Sequence, residues 1–478
     1  MTAPVLMMVR FFLAILALIG CTVGPDYQAP RLTIPENWSE QRLSANIGKP
    51  QPEQWWRAFH DPVLDRLMSD AISASLDYQQ ALLRLRDARI QRSATLAAGL
   101  PALSARGNLS RRFNNTSAGS QTGGSAVGGG FGVGPQHINI FQLGFDAHWE
   151  LDFFGGVRRA VEAADATVDS ELENSRDVLV TVLAEVARNY IELRANQQLL
   201  ALANETVLLQ QAIHDLTQVR QQAGLASQLE VAQARALAAE TEAQVPVYET
   251  LIKNNAHQIS LLLGREPGAL ALRLNQPGAV PGLSTPPIIE LPSELLLRRP
   301  DIRRAERQMA IANAAVGVAT AELYPKINLA AFLGLQNMKI SDITPVGKSW
   351  SAASSLSLPI FNWGKLNAQI KSKKNHYQQS LLSYQATVLN AFKEVEDALT
   401  AYSREQARKK PLVLALEAKR LALQLANERY QKGLTSFLPV LDAQQALTEA
   451  QSRLIESEAK LARDAVALYK ALGGGWRS

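Results

Sequence analysis

The sequence predicts a mainly α-helical chain with a membrane β-barrel portion, built twice from a strand–strand–long-helix unit. Three observations predict it. Residues 216–234 and 425–443 are one segment written twice at an offset of 209, with nine of nineteen positions identical. These are Leu216/Leu425, Arg220/Arg429, Gln222/Gln431, Gly224/Gly433, Leu225/Leu434, Ser227/Ser436, Leu229/Leu438, Val231/Val440 and Ala234/Ala443. The register holds outward from Glu185-Val186 against Glu394-Val395 to Leu263-Gly264 against Leu472-Gly473. An ungapped match of about 80 residues implies pseudo-symmetry rather than a short-repeat solenoid. The second observation is a long, strictly alternating stretch at 141–153, and the third is a proline-free run from Gly155 to Gln222.

Taken in order, Arg10, the apolar run Phe11–Ile19 and the small Gly20 before Cys21 read as a secretory signal. That run is too short to span a bilayer as an ordinary helix. Leu18-Ile19-Gly20-Cys21 resembles a bacterial lipoprotein box, which implies a covalent lipid on Cys21. As the single Cys in 478 residues, Cys21 has no internal disulfide partner. Thr22 follows it in place of the Asp that retains such lipoproteins at the inner membrane, so the resemblance implies outer-membrane sorting. The net charge of +5 comes without a Lys/Arg block, which argues against a nucleic-acid partner.

Helical patterns at about 62–98 and 299–323 each end at a proline, Pro101 and Pro325, where the pattern switches to period two. Leu103, Ala105, Gly107 and Leu109 alternate with Ser104, Arg106, Asn108 and Ser110. In the clearest strand, Phe141, Leu143, Phe145, Ala147, Trp149, Leu151 and Phe153 share one face. Gln142, Gly144, Asp146, His148, Glu150 and Asp152 share the other. A transmembrane strand needs about 9–11 residues with lipid-facing and lumen-facing positions alternating. Ile327–Leu335 and roughly Trp350–Ile360 are weaker counterparts, and the Gly/Ser-rich run at 113–137 reads as an exposed connection.

After the strands, Val168, Leu172, Leu179, Val182, Val186, Tyr190 and Leu193 mark a coiled-coil-like stripe on a helix about 100 Å long. Gly224 and Gly433 suit C-caps, and Ser227 and Ser436 suit N-caps, so each repeated segment reads as a helical hairpin tip. Pro411 predicts a kink or break in the second long helix. The boundaries are a signal peptide at 1–20, a lipidated extended segment at 21–61, a first repeat at 62–276, a Pro-rich linker at 277–298 and a second repeat at 299–475. Four strands cannot close a membrane barrel, so the chain must associate. Two copies would give eight strands and three would give twelve; the pattern leaves that choice open.

Further marks are Gly24-Pro25-Asp26-Tyr27, the run Trp55-Trp56-Arg57-Ala58-Phe59-His60-Asp61-Pro62, Leu291-Pro292-Ser293-Glu294-Leu295-Leu296, Arg298-Arg299-Pro300-Asp301-Ile302 and Tyr324-Pro325. With the duplicated tips, they resemble the TolC-like outer-membrane factors, in particular the NodT/OprM-type efflux lipoproteins. The resemblance covers nearly the whole mature chain. It implies a homotrimer with a twelve-stranded β-barrel in the outer membrane and an α-helical barrel in the periplasm. The partners implied are a periplasmic adaptor protein and an inner-membrane transporter. The activity implied is a passive, gated exit duct of a tripartite efflux pump for small molecules such as drugs, toxic compounds or metal ions. A type I protein-secretion duct is the alternative.

Carried onto this chain, Arg220, Gly224, Leu225 and Ser227, with Arg429, Gly433, Leu434, Thr435 and Ser436, match the adaptor-docking tips. Tyr430, Leu438 and Asp442 match the periplasmic gate. The copies differ there: Tyr430 replaces Gln221, Phe437 replaces Gln228, Pro439 replaces Glu230 and Asp442 replaces Gln233. Three copies of Asp442 would form an acidic ring favouring cations. Positions where relatives carry an Arg or second acid read Thr435, Pro439 and Gln445, so a hydrophobic-plus-acidic constriction is expected rather than a salt-bridge latch. No enzyme is indicated. The six His include no pair at i, i+4, and no GxSxG or metal-ligand spacing occurs, so neither a metal site nor any cofactor beyond the lipid on Cys21 is expected.

Overall fold

Proline and glycine divide the chain into elements close to those the pattern predicts. The computed structural model describes residues 22–30, 32, 34, 35, 37–39, 52–114, 136–283, 287, 292–343 and 347–476. The signal sequence, Cys21, most of the Gly/Ser-rich run and part of the Pro-rich linker lie outside these residues.

The expected helix at 62–98 is two helices, α1 (Pro62–Ala74) and α2 (Leu76–Ala98). Ser75, at ψ 124°, leaves the helical region between them, and its carbonyl accepts from Gln79 in the next turn. Strands β1 (Ala102–Asn114) and β2 (Gln136–Leu151) precede α3 (Gly156–Gln222), α4 (Gln228–Glu242) and α5 (Val245–Leu262). The short helices α6 (Ala271–Leu274) and α7 (Pro292–Arg298) lead to α8 (Pro300–Ala321). Then β3 (Lys326–Asn337), β4 (Lys348–Ser357), α9 (Lys365–Gln431) and α10 (Leu438–Ala471) repeat the order of β1, β2 and the long hairpin. Helices α3 and α9 are each 67 residues long, so the duplication extends to element length. Of the kink or break expected at Pro411, the break does not occur: α9 runs through it. One lost N–H bond is a small fraction of the ladder in a helix of this length.

The described residues form two compact units, and neither is a sequence repeat. One draws on Met1–Ala29, Asp87–Val168 and Arg307–Leu381; the other draws on Pro30–Arg86, Asp169–Glu306 and Leu382–Ser478. The first holds a single antiparallel sheet in the order β1-β2-β3-β4.

The core of the second unit gathers the stripe of α3, where Leu179, Val182, Val186, Tyr190 and Leu193 are buried. Trp55, Trp56, Phe59 and Leu64 join it, together with Ala462 and Val466 of α10. The run ending in Asp61-Pro62 has a structural use here. Asp61 caps α1 by accepting from the amides of Val63 and Leu64. Its second oxygen accepts a 2.7 Å bond from the Tyr190 hydroxyl, which in turn accepts from Arg194. Burial, reinforced by the Asp61 acceptor, raises the Tyr190 phenol above its ordinary range. Arg299 is equally structural: it donates to Asp301, Glu394 and the carbonyl of Ala471.

Candidate functional site

Two features stand out as candidate sites, one in each compact unit. In the sheet, the register sets Leu109 opposite Phe141, Ala105 opposite Phe145, Leu143 opposite Leu335, Phe145 opposite Leu333 and Leu333 opposite Trp350. Residues paired across a ladder share a face, so these side chains form one apolar surface. It is exposed: Leu103 by 72 %, Leu109 by 70 %, Leu333 by 66 % and Trp350 by 77 %. The opposite face carries Ser104, Arg106, Asp146, His148, Glu150, Asn328 and Ser351. Arg106 and Asp146 approach to 3.5 Å there.

Phe332, on this polar face, is an apolar exception that the alternation does not foresee. Its ring lies over the paired Gly144 and Gly334, where an added Cβ would come within 2.7 and 2.8 Å of it. Among the described residues no helix is long and apolar enough to cross a membrane. Among the described residues there is also no group of three His, Cys, Asp or Glu suited to a metal ion.

The two tips of the other unit share one backbone solution. After α3, Gly224 takes φ +73°, its amide bonds the carbonyl of Gln221, and the Leu225 amide bonds that of Arg220. After α9, Gly433 takes φ +71°, with Gly433 to Tyr430 and Leu434 to Arg429. This is the glycine-terminated helix cap, and it satisfies carbonyls that would otherwise be orphaned. Both glycines face open space, so the backbone angle alone requires them.

The returning helices differ. Ser227 caps α4 in a capping box, accepting from the Glu230 amide while the Glu230 carboxylate accepts from the Ser227 amide. The same cap was expected from Ser436, and it is absent. α10 starts one position later, at Leu438, behind Phe437, with no side-chain cap. The residue three beyond Ser436 is Pro439, which has no N–H to give.

Of the expected gate residues, Leu438 and Asp442 lie exposed at the start of α10, one turn apart. Tyr430 is placed otherwise: it is half-buried against a cluster of Phe437, Val440 and Leu441, its ring 4.9 Å from that of Phe437. Arg220, expected as a docking residue, reaches across from the first tip and holds its guanidinium 4.8 Å over the Tyr430 ring. Its Nε is buried without a hydrogen-bond partner, so the aromatic face is its main local attraction. Arg429, Ser227 and Ser436 are exposed and Thr435 half-buried, while Leu225 and Leu434 present 70 % and 66 % of their surface.

One arrangement went unread in the sequence. Buried Arg159 of α3 donates to the carbonyls of Val23 and Gly24 and to the Asp26 carboxylate. Asn313 of α8 donates to the carbonyl of Pro25, and Gly24 backs onto Gly317. The Gly24-Pro25-Asp26 mark is thus the segment that these side chains clasp. Its only sequence signal was its own unusual composition.

Comparison with known proteins agrees with this geometry. The family model described as "Outer membrane efflux protein" matches the chain twice, over residues 67–265 and 291–474. The chain is 34 % identical to the antibiotic efflux pump outer membrane protein ArpC of Pseudomonas putida, over 97 % of this chain and 95 % of that one. It is 32 % identical to nodulation protein T of Rhizobium leguminosarum bv. viciae, over 96 % and 92 % respectively. Among solved structures it is similar to the outer-membrane channel OprN, with a TM-score of 0.87 at 33 % identity, covering 95 % of this chain and all of that one.

Proposed function

The chain belongs to the outer membrane efflux protein family, and from that premise we propose that three copies form the exit duct of a tripartite pump. Efflux across the outer membrane is its function; the finer reading concerns how the duct is built and controlled. Three four-stranded sheets close into a twelve-stranded barrel, and the long helices continue as a tunnel in the periplasm. A diacylglyceryl group on Cys21 anchors each copy to the outer membrane. Small molecules pass through without covalent change, so the protein has no catalytic site.

The two-faced sheet carries this reading. An apolar surface of Leu103, Leu109, Phe145, Leu333 and Trp350 is costly in water and suited to lipid. The polar face with Arg106, Asp146, His148 and Glu150 suits a water-filled lumen. A sheet with β1 and β4 as edges would leave backbone groups unsatisfied in hydrocarbon, which ring closure removes.

An outer-membrane duct has no ATP and no ion gradient of its own, so a transporter in the inner membrane supplies the energy and a periplasmic adaptor joins the two. The exposed Leu225 and Leu434, flanked by Ser227, Arg429, Thr435 and Ser436, offer the adaptor an apolar centre with a polar rim. Gly224 and Gly433 fix the turns that present it, and Arg220 braces the first tip. The gate is the start of α10. Three Leu438 side chains narrow the path, three Asp442 carboxylates make an acidic ring, and Tyr430 supports them from behind.

The test is the mass of the detergent-extracted particle after subtraction of bound detergent. Three times the protomer mass is expected, and a single-copy particle overturns the duct.

A further inference from the structure

The internal pairing of β2 with β3 is a template for how one copy meets the next. The two halves of the sheet are equivalent down to the register. Ala102 faces His148 in the β1–β2 pair as Lys326 faces Ser357 in the β3–β4 pair, and Leu109 faces Phe141 as Leu333 faces Trp350. Thus β1 corresponds to β3 and β2 to β4, with Pro101 matching Pro325 and Gly155 matching Gly364, both glycines at φ +78°. Inside the chain β2 pairs with β3, while β4 and β1, their equivalents, are edges.

The same holds just below the strands. Phe154, before Gly155, stacks 4.7 Å from Tyr324, the residue preceding Pro325. The equivalent residues are Trp363, before Gly364, and Leu100, before Pro101. Both are exposed, Trp363 by 91 % and Leu100 by 58 %, and Trp363 is held at the unusual φ of +53°. Neighbouring Ile360 and Phe361 are 90 % and 73 % exposed. On the other side, Leu100 lines an apolar groove of about 700 Å³ together with Leu96, Gly99, Trp149 and Val157. The chain therefore carries one aromatic knuckle and one apolar groove that are the unfilled counterparts of a contact it makes internally.

We propose that the occupant of this groove is the Trp363 knuckle of a second copy of the chain, and that β4 pairs with the neighbour's β1 in the register copied from β2–β3. This rests on the trimeric duct proposed above and deepens it by fixing the contact. Transferring the Phe145–Leu333 alignment sets Ser354 opposite Leu109 of the next copy. Ser355 then faces Asn108, Leu356 faces Gly107 and Ser357 faces Arg106. Pro359 has no N–H to extend the ladder, so the chain leaves the sheet there, at the level of the neighbour's groove.

A head-to-tail contact of this kind makes rings when the rotation closes. Each contact uses an apolar aromatic in a pocket of matched character, the arrangement that dominates interface energetics.

Paired cysteines in the full-length protein test the register. Two variants are made, Ser354→Cys with Leu109→Cys and Ser355→Cys with Asn108→Cys. Directly opposite pairs alternate between wide and close spacing, so one of the two has the geometry for a disulfide. Bridging within a chain is excluded: β1 and β4 are three strands apart, about 14 Å, against a limit of about 7 Å between Cα atoms. Oxidation in the membrane is expected to give a covalent species of three protomers, reversed by reductant.

A control pairs Ser354→Cys with Gly107→Cys, two residues out of register. Cross-linking in that control alone, or in no variant of a particle with trimeric mass, overturns the proposed contact while the trimer stands. A particle of single-copy mass overturns the trimer itself. Trp363→Ala is expected to lower the temperature at which the particle dissociates, and Trp363→Phe to restore most of it. Unchanged dissociation in Trp363→Ala refutes the knuckle even if the strand register holds.

Discussion

Removing the Arg220 guanidinium from the face of Tyr430 tests whether the two tips hold each other. The contact spans 4.8 Å from guanidinium carbon to ring centroid and joins the end of α3 to the end of α9. The Tyr430 ring is also 4.9 Å from Phe437, which is 6 % exposed at the start of α10. Cation–aromatic contacts contribute about 0.5–1 kcal/mol when exposed and about 2 kcal/mol when desolvated. Arg220 is intermediate: its side chain is half-buried and its Nε is shielded without a hydrogen bond. A coupling of about 1 kcal/mol follows, equivalent to roughly a fivefold change in an equilibrium. If the closed gate contains this contact and the open gate does not, Arg220→Ala increases the ratio of open to closed dwell time about fivefold. The assay is single-channel recording in planar bilayers, run as a double-mutant cycle with Tyr430→Leu. Leucine keeps apolar bulk against Phe437 while removing the ring face. The second substitution is expected to add little once the first is made. Effects that simply multiply, with coupling under about 0.3 kcal/mol, refute the contact as a gate element.

Four further substitutions probe the same architecture. Asp442→Ala removes the proposed carboxylate ring and is expected to raise single-channel conductance and relieve block by divalent cations; an unchanged conductance takes Asp442 out of the gate. Cys21→Ser is expected to abolish palmitate labelling, and continued labelling rules out the lipid anchor at that residue. Ser227→Ala breaks a capping box and is expected to cost the first turn of α4 about 1 kcal/mol, read as roughly fivefold faster hydrogen exchange of its amides. Ser436→Ala, which loses no cap, is expected to leave exchange at the start of α10 unchanged. Equal effects at the two serines refute the assignment of different caps.

Much of this fold was legible because its signals are local and repeated. The period-two run at 141–153 lies in β2 as far as Leu151, and Asp152 and Phe153 fall beyond the strand; the glycines of the tips end α3 and α9 within two residues. The offset of 209 was read in the sequence for the tips and their helices, and the ladder registers extend the same offset to β2 and β4. What stayed hidden depends on contacts between distant residues. No pattern in the sequence aims Arg220 at Tyr430, because nothing local distinguishes a guanidinium that docks on a partner from one that covers a ring. Nor does anything local tell that Arg159 and Asn313 hold Gly24 to Asp26.

The Ser436 cap failed for a different reason, since the residue that forbids it was in view. Aligning the copies by identity drew attention to the shared serine. The cap needs a backbone N–H three residues on, and the replacement of Glu230 by Pro439 removes that N–H and the answering carboxylate together. The same replacement starts α10 one residue later and sets Phe437 at its N-terminus, buried against Tyr430. Pro439 therefore accounts for the lost cap, while Tyr430 and Phe437, in place of Gln221 and Gln228, supply the aromatic pairing at the second tip. Between the two copies a polar helix start is exchanged for an apolar one. The start of α10 is then held by side-chain packing rather than by a side-chain cap.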